Sequence, residues 1–163
     1  METIRPKTRA AVLKIAEWQE GVVEMPSGSN KVKYNTAYYG HKVSGASYAW
    51  CMAFVWWVFR EAGFNLFKTA SCTKFVEQYK KVSPQQVVTT NFKPGDLVFF
   101  DFTGKKKVTA HVGIVARVSA DGKTVYTYEG NTSGGNDANG GAVQLRTRSI
   151  KVITVAVRPN YSE

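Results

Sequence analysis

The sequence lacks any apolar run long enough to cross a bilayer. Its longest, residues 48–59, falls well short of the about 20 residues that a spanning helix needs. The first fourteen residues carry charge but no continuous apolar segment, so a secretory signal is not expected. A protein of this kind that works outside its cell of origin needs another route of release. Cysteine is scarce too: Cys51 and Cys72 are the whole complement, and neither sits in a CxxC or Cys/His zinc spacing. A structural metal is therefore not expected, and two reduced thiols are the default over one disulfide. GxxxxGK[ST], HExxH and a strand-following GxGxxG are all missing, which removes the usual phosphate, zinc-protease and dinucleotide chemistries.

Acidic residues are also few. Twelve Asp and Glu face 22 Lys and Arg, a formal charge of +10 that favours polyanionic partners such as nucleic acid, anionic lipid or acidic wall polymers. Solubility alone is the plainer explanation. Hydrophobic residues make up 44 % and aromatics 13 %, a folding composition with no sign of disorder. The 163 residues suit one domain, with no repeat and no linker to divide it.

Helical periodicity runs over residues 6–20, with Val12, Ile15, Ala16 and Gln19 on one stripe and Gly21 as a stop. Residues 22–47 lose the pattern and are expected to form a loop rich in Gly, Ser, Asn and Tyr, including Tyr34, Tyr38 and Tyr39. Residues 50–62 form a helix with apolar residues nearly all round, closed by Gly63. A further helix covers residues 71–80, with Ser71 as N-cap. After Pro84 the period becomes two, and strands are expected over residues 87–90, 97–102, 110–118, 125–129, 143–148 and 152–157. Helices first and strands afterwards define an α+β fold: N-terminal helices on an antiparallel, roughly six-stranded sheet.

Three positions stand out chemically. Cys51 opens the buried helix, where free amides and the helix dipole favour a thiolate and could receive an oxyanion; a small buried hydrophobe is the alternative. His111 shares a strand face with Gly113 and Val115. Gly113 leaves room beside the imidazole, as a substrate-facing surface would. The one rival base is His41, in the loop. Glu129 ends a strand just before a glycine turn and could orient the imidazole, or simply pair with a surface cation. Asn131, close by, could share that task or serve the turn.

Four segments together resemble the CHAP domain, the cysteine, histidine-dependent amidohydrolase/peptidase of the papain-related NlpC/P60-like group. They are Tyr48-Ala49-Trp50-Cys51-Met52-Ala53-Phe54-Val55, Pro94-Gly95-Asp96-Leu97-Val98-Phe99-Phe100, His111-Val112-Gly113-Ile114-Val115 and Tyr128-Glu129-Gly130-Asn131-Thr132. The resemblance covers about residues 15–157. It implies a papain-like fold, amide cleavage in bacterial peptidoglycan as in phage endolysins, and a catalytic set of Cys51, His111, Glu129 and Asn131. Trp50, Tyr34, Tyr38 and Tyr39 are expected to line the groove for the peptide stem.

No cofactor is expected. Residues 34–40 lack the paired acids through which some relatives bind calcium. The expected partner is peptidoglycan, with anionic wall polymers drawn by the charge, rather than nucleic acid or a membrane, and the chain is expected to be monomeric. Synthesis in the cytoplasm of an infected bacterium followed by release to the wall is the expected setting. The competing class is a non-catalytic basic module that binds wall polyanions or single-stranded nucleic acid.

Overall fold

Thr8 starts the first helix by accepting a hydrogen bond from the Ala11 N–H at 3.1 Å, and α1 then runs over Arg9–Trp18 with Ala11, Val12, Ile15 and Ala16 turned inward. This computed structural model describes residues 4–162. Residues 22–47, expected to be a loop, contain a seven-residue helix, α2, at Lys33–Tyr39. It stops at Gly40, whose φ of 81° is a left-handed value that glycine adopts freely and whose N–H returns to the Thr36 carbonyl.

The third helix, α3, spans Cys51–Glu61 and buries Cys51, Met52, Ala53, Phe54, Val55, Val58 and Phe59. Each large side chain so buried contributes roughly 1.5–3 kcal/mol, which makes α3 the centre of the core. Trp56 and Trp57 remain half-buried, so the helix is not enclosed on every side. The fourth, α4, spans Cys72–Val82 and starts at Ser71, whose side chain accepts from the Lys74 N–H.

Six strands form one antiparallel sheet: β1 Val87–Val88, β2 Leu97–Phe100, β3 His111–Val118, β4 Thr124–Thr132, β5 Ala142–Ser149 and β6 Ile153–Val157. Their spatial order is β1-β6-β2-β3-β4-β5. Period two sorts the side chains. Leu97, Phe99, Val112, Ile114, Val143, Val155 and Val157 join the helices in one core cluster, while Val98, Phe100, Val115, Val125, Ile153 and Ala156 form a second on the opposite face. The register pairs Phe100 with His111, Val98 with Gly113 and Val115 with Thr127, so His111, Gly113 and Val115 share that second face, as the alternation predicts. A bulge between Glu129 and Thr132 bends the end of β4, where a Cβ on Gly130 would meet Phe54 of α3 at 2.5 Å. Only glycine lets that strand end and α3 approach so closely.

Candidate active site

Cys51 is the first residue of α3 and His111 the first of β3. Helix and sheet thus bring their opening residues together, and thiol and imidazole act directly on each other's ionisation. Cys51 is 9 % exposed, whereas His111 and Glu129 are sealed from solvent.

The imidazole is held from one side. Its Nε2 lies 2.9 Å from Glu129 Oε1, while Nδ1 is buried with no close hydrogen bond among the described residues. Nδ1 is therefore the nitrogen left for the thiol, in a looser contact of the kind that tightens when substrate binds. Phe100 and Phe102 flank the ring, with centroids at 6.1 and 5.9 Å.

Glu129 is anchored in turn. Arg148 Nε donates to Oε2 at 2.9 Å and Nη2 to Oε1 at 2.6 Å; the Thr127 hydroxyl donates to Oε2 at 2.5 Å. Arg148 also donates through Nη1 to Asp137 at 2.7 Å and lies over the rings of Phe102 and Phe100. A two-pronged guanidinium–carboxylate contact fixes direction as well as charge. A Cβ on Gly113 would come within 2.9 Å of both Glu129 Cγ and Thr127 Cβ. The space beside His111 is thus occupied by the orienting carboxylate, which corrects the expectation that it opens toward substrate.

These contacts set the charges. Burial alone would lower the His111 pKa, but hydrogen bonds and charges from Cys51 and Glu129 outweigh it and raise it to about 9. Burial pushes the Glu129 carboxyl up, yet Arg148 and His111 hold it below its ordinary value. The Cys51 thiol is lowered well below the ordinary range, first by a hydrogen bond with Cys72 and then by His111 and the Met52 N–H, against the opposing effect of burial. Cys72, whose Sγ lies 3.8 Å from that of Cys51, is raised by the same contact, by burial and by the Cys51 charge. The arrangement favours a Cys51 thiolate beside a His111 imidazolium, with Cys72 the protonated partner.

The other singled-out residues separate clearly. Asn131 is buried at φ 61° and serves the loop that follows: its Oδ1 accepts from the Gly141 N–H at 3.0 Å and its Nδ2 donates to Asn139. The carboxylate of Glu129 is held by Arg148 and Thr127 rather than by this amide. Tyr34 is fully buried, donates to Gln19 and packs on Trp50, Phe54 and Trp57. Trp50 is equally buried, its indole N–H donating to Glu24. Both rings belong to the core, which corrects their expected place on the groove wall. Tyr38 and Tyr39 stay half-buried beside Trp56 and Tyr48. His41 is exposed, with Nδ1 at 3.2 Å from the carbonyl of its neighbour Lys42. Among the described residues, no group of three or more His, Cys, Asp or Glu could hold a metal ion, and no helix is long and apolar enough to cross a membrane.

Arg148, Thr127 and Cys72 were not expected to take part. The available signal was faint: Arg146 and Arg148 share a face of a strand that neighbours β4, but only the observed register reveals the contact with Glu129.

Helices packed on a six-stranded antiparallel sheet define an α+β fold, and within it a cysteine opening a buried helix meets a strand histidine and a buried carboxylate. The chain belongs to the CHAP domain family, whose profile matches residues 43–131, more than half of its length. Among solved structures, it is similar to the wild-type endolysin LysIME-EF1, with a TM-score of 0.61 and 15 % identity over 95 % of this chain and 65 % of that one. It is also similar to Ly7917, with a TM-score of 0.54 and 18 % identity over 93 % of this chain and 62 % of that one. A further match is Ly7917 with the hydrolyzing product of MDP, with a TM-score of 0.51 and 17 % identity over 94 % of this chain and 64 % of that one. The chain thus spans just under two-thirds of each of these structures. No curated protein matches it by sequence.

Proposed function

We propose that this chain hydrolyses amide bonds of bacterial peptidoglycan, with Cys51 as nucleophile and His111 as acid and base. The observation that carries the reading is the line Cys51–His111–Glu129–Arg148, in which Glu129 holds the imidazole and Arg148 holds Glu129. A non-catalytic binding module has no need of a buried, oriented imidazole against a lowered thiol. The substrate class is supported by membership of the CHAP family and by the fold shared with the endolysin LysIME-EF1.

In this reading the Cys51 thiolate attacks the amide carbonyl, and amides at the start of α3 receive the oxyanion. His111 gives its proton to the leaving amine, so the C–N bond breaks and a thioester remains. His111 then takes a proton from water, whose oxygen attacks the thioester and frees Cys51. Glu129 stabilises the imidazolium throughout without accepting its proton. Tyr38 and Tyr39 are the aromatic candidates left to flank the peptide stem.

The bond cut is either the N-acetylmuramoyl-L-alanine amide or a peptide bond of the stem or cross-bridge, since both need the same chemistry. The +10 charge adds attraction to anionic wall polymers. The setting proposed is release from the bacterium that makes the protein to act on its wall. Mass spectrometry of digested purified peptidoglycan tests the reading. New amine termini paired with new carboxyl termini support it, and an undigested wall under conditions where the protein is folded rejects it.

A further inference from the structure

Cys72 carries out no bond-making or proton-transfer step in the catalytic scheme above, yet it lies against the nucleophile and hydrogen-bonds to it. Its Sγ is 3.8 Å from Cys51 Sγ, although the two residues stand 21 positions apart in sequence. Both cysteines are the first residues of eleven-residue helices, so two helix starts meet at this pair. Both cysteines are buried, with 9 % and 7 % of their residue surfaces exposed. A disulfide requires a sulfur separation of about 2.05 Å, so from 3.8 Å the two must approach by somewhat under 2 Å. A buried Cys that only filled space would be better placed among hydrocarbon than against a thiolate.

We propose that Cys51 and Cys72 form a reversible internal disulfide, a modification site that takes oxidants of the peroxide class. The Cys51 thiolate attacks one peroxide oxygen: an S–O bond forms, the O–O bond breaks, and with one proton taken up the other oxygen leaves as water. Sulfur is oxidised by two electrons and the peroxide reduced by two. Cys72 sulfur then attacks the Cys51 sulfenic acid, forming the S–S bond and breaking S–O. The hydroxyl leaves as a second water with the Cys72 proton. The product withdraws the nucleophile and prevents its further, irreversible oxidation to sulfinic acid. A dithiol reductant returns both thiols.

The test exposes folded full-length protein to hydrogen peroxide, quenches with an alkylating agent and measures intact and peptide masses. The expected result is loss of two hydrogens, loss of both alkylation sites and a peptide linking Cys51 to Cys72 within one chain. Dithiothreitol should return the mass and the lytic activity of the wild type. In Cys72→Ser, or Cys72→Ala should the serine variant fail to fold, Cys51 should instead gain two oxygens and activity should stay lost. Wild-type protein that gains oxygens at Cys51 as fast as the variant, with no linked peptide, overturns the proposal. The mass result does not depend on the reading of Cys51 as nucleophile. A linked pair in protein that still lyses walls would reject that reading and leave the disulfide standing.

Discussion

Arg148 grips Glu129 by both carboxylate oxygens, at 2.9 and 2.6 Å, and so fixes the acid that in turn fixes His111. The contact crosses from β5 to β4 inside a site closed to water: Glu129 is fully buried and Arg148 only 7 % exposed. A carboxylate desolvated this far stays charged because the guanidinium and the imidazolium both face it.

Removing the guanidinium should therefore be costly. Breaking a buried ion pair from one side typically destabilises by about 3–5 kcal/mol. Arg148→Leu is expected to lose stability of that order in denaturant titration and to show a weakened His111. Arg148→Lys should recover part of the stability through charge, with lower turnover because it lacks the two-pronged grip.

Glu129→Gln keeps the shape while removing the charge and the preference for one imidazole tautomer. In a serine triad the corresponding change costs roughly 10⁴-fold in turnover. A thiolate already stabilised by a helix start and by Cys72 needs less help, so the expected loss is on the order of 10²-fold. Asn131→Ala, measured beside it, should act through the loop it closes. A collapse of turnover in folded Asn131→Ala with near-normal Glu129→Gln would move the orienting role to Asn131.

The reactive ion pair exists between the lowered pKa of Cys51 and the raised pKa of His111, about 9. Turnover should therefore fall as pH rises through about 9, where the imidazolium that protonates the leaving amine is lost. Stability follows the same sign. The contribution of His111 is complete below its ordinary value of 6.5 and disappears as pH rises through about 9. That of Glu129, whose pKa is lowered, is present above the ordinary carboxyl range and disappears as pH falls through its lowered value. Rate profiles of wild type and Glu129→Gln check this: the alkaline limb of the variant should lie at lower pH.

Much of the architecture was legible in the sequence because it rests on period. Ser71 before Phe75 and Val76, the apolar run Leu97–Phe100 and the strand pattern of His111–Val118 announce their elements with little help from context. The α2 helix was not legible: only Tyr34 and Asn35 of its seven residues are buried, too few for a stripe. Cys51 and His111 drew attention because each starts an element, and Glu129 because it was expected to end a strand that in fact runs on to Thr132; the structure brings the three together. Arg148 gave no such sign, and Cys72, though it also opens a helix, gave none of its contact with Cys51. Their roles depend on strand register and on how two helix starts meet, which only the folded chain defines. Tyr34 and Trp50 mislead for the opposite reason: a tyrosine or tryptophan near a nucleophile is as well suited to the core as to a groove.

Lysis should not depend on a metal. The segment that would supply paired acids is α2, which contains no Asp or Glu, and the Asn35 amide nitrogen there donates to the carbonyls of Asn30 and Tyr48. Rates with a chelator, with added calcium and with added zinc are expected to agree with the untreated rate. A several-fold activation by calcium would contradict this.

The charge makes a separable prediction. Binding to walls bearing anionic polymers should weaken as salt rises, since attraction is screened over about 8–10 Å near physiological ionic strength. Turnover of a small soluble muropeptide should change much less. Equal salt sensitivity for both substrates would remove the charge from any targeting role.

Clearing of purified, metal-free cell walls by folded Cys51→Ala, measured beside wild type, tests the central claim most directly. The variant should keep its fold and lose at least about 10³-fold in rate, with no new amine or carboxyl termini in the digest. Clearing by Cys51→Ala near the wild-type rate would contradict it.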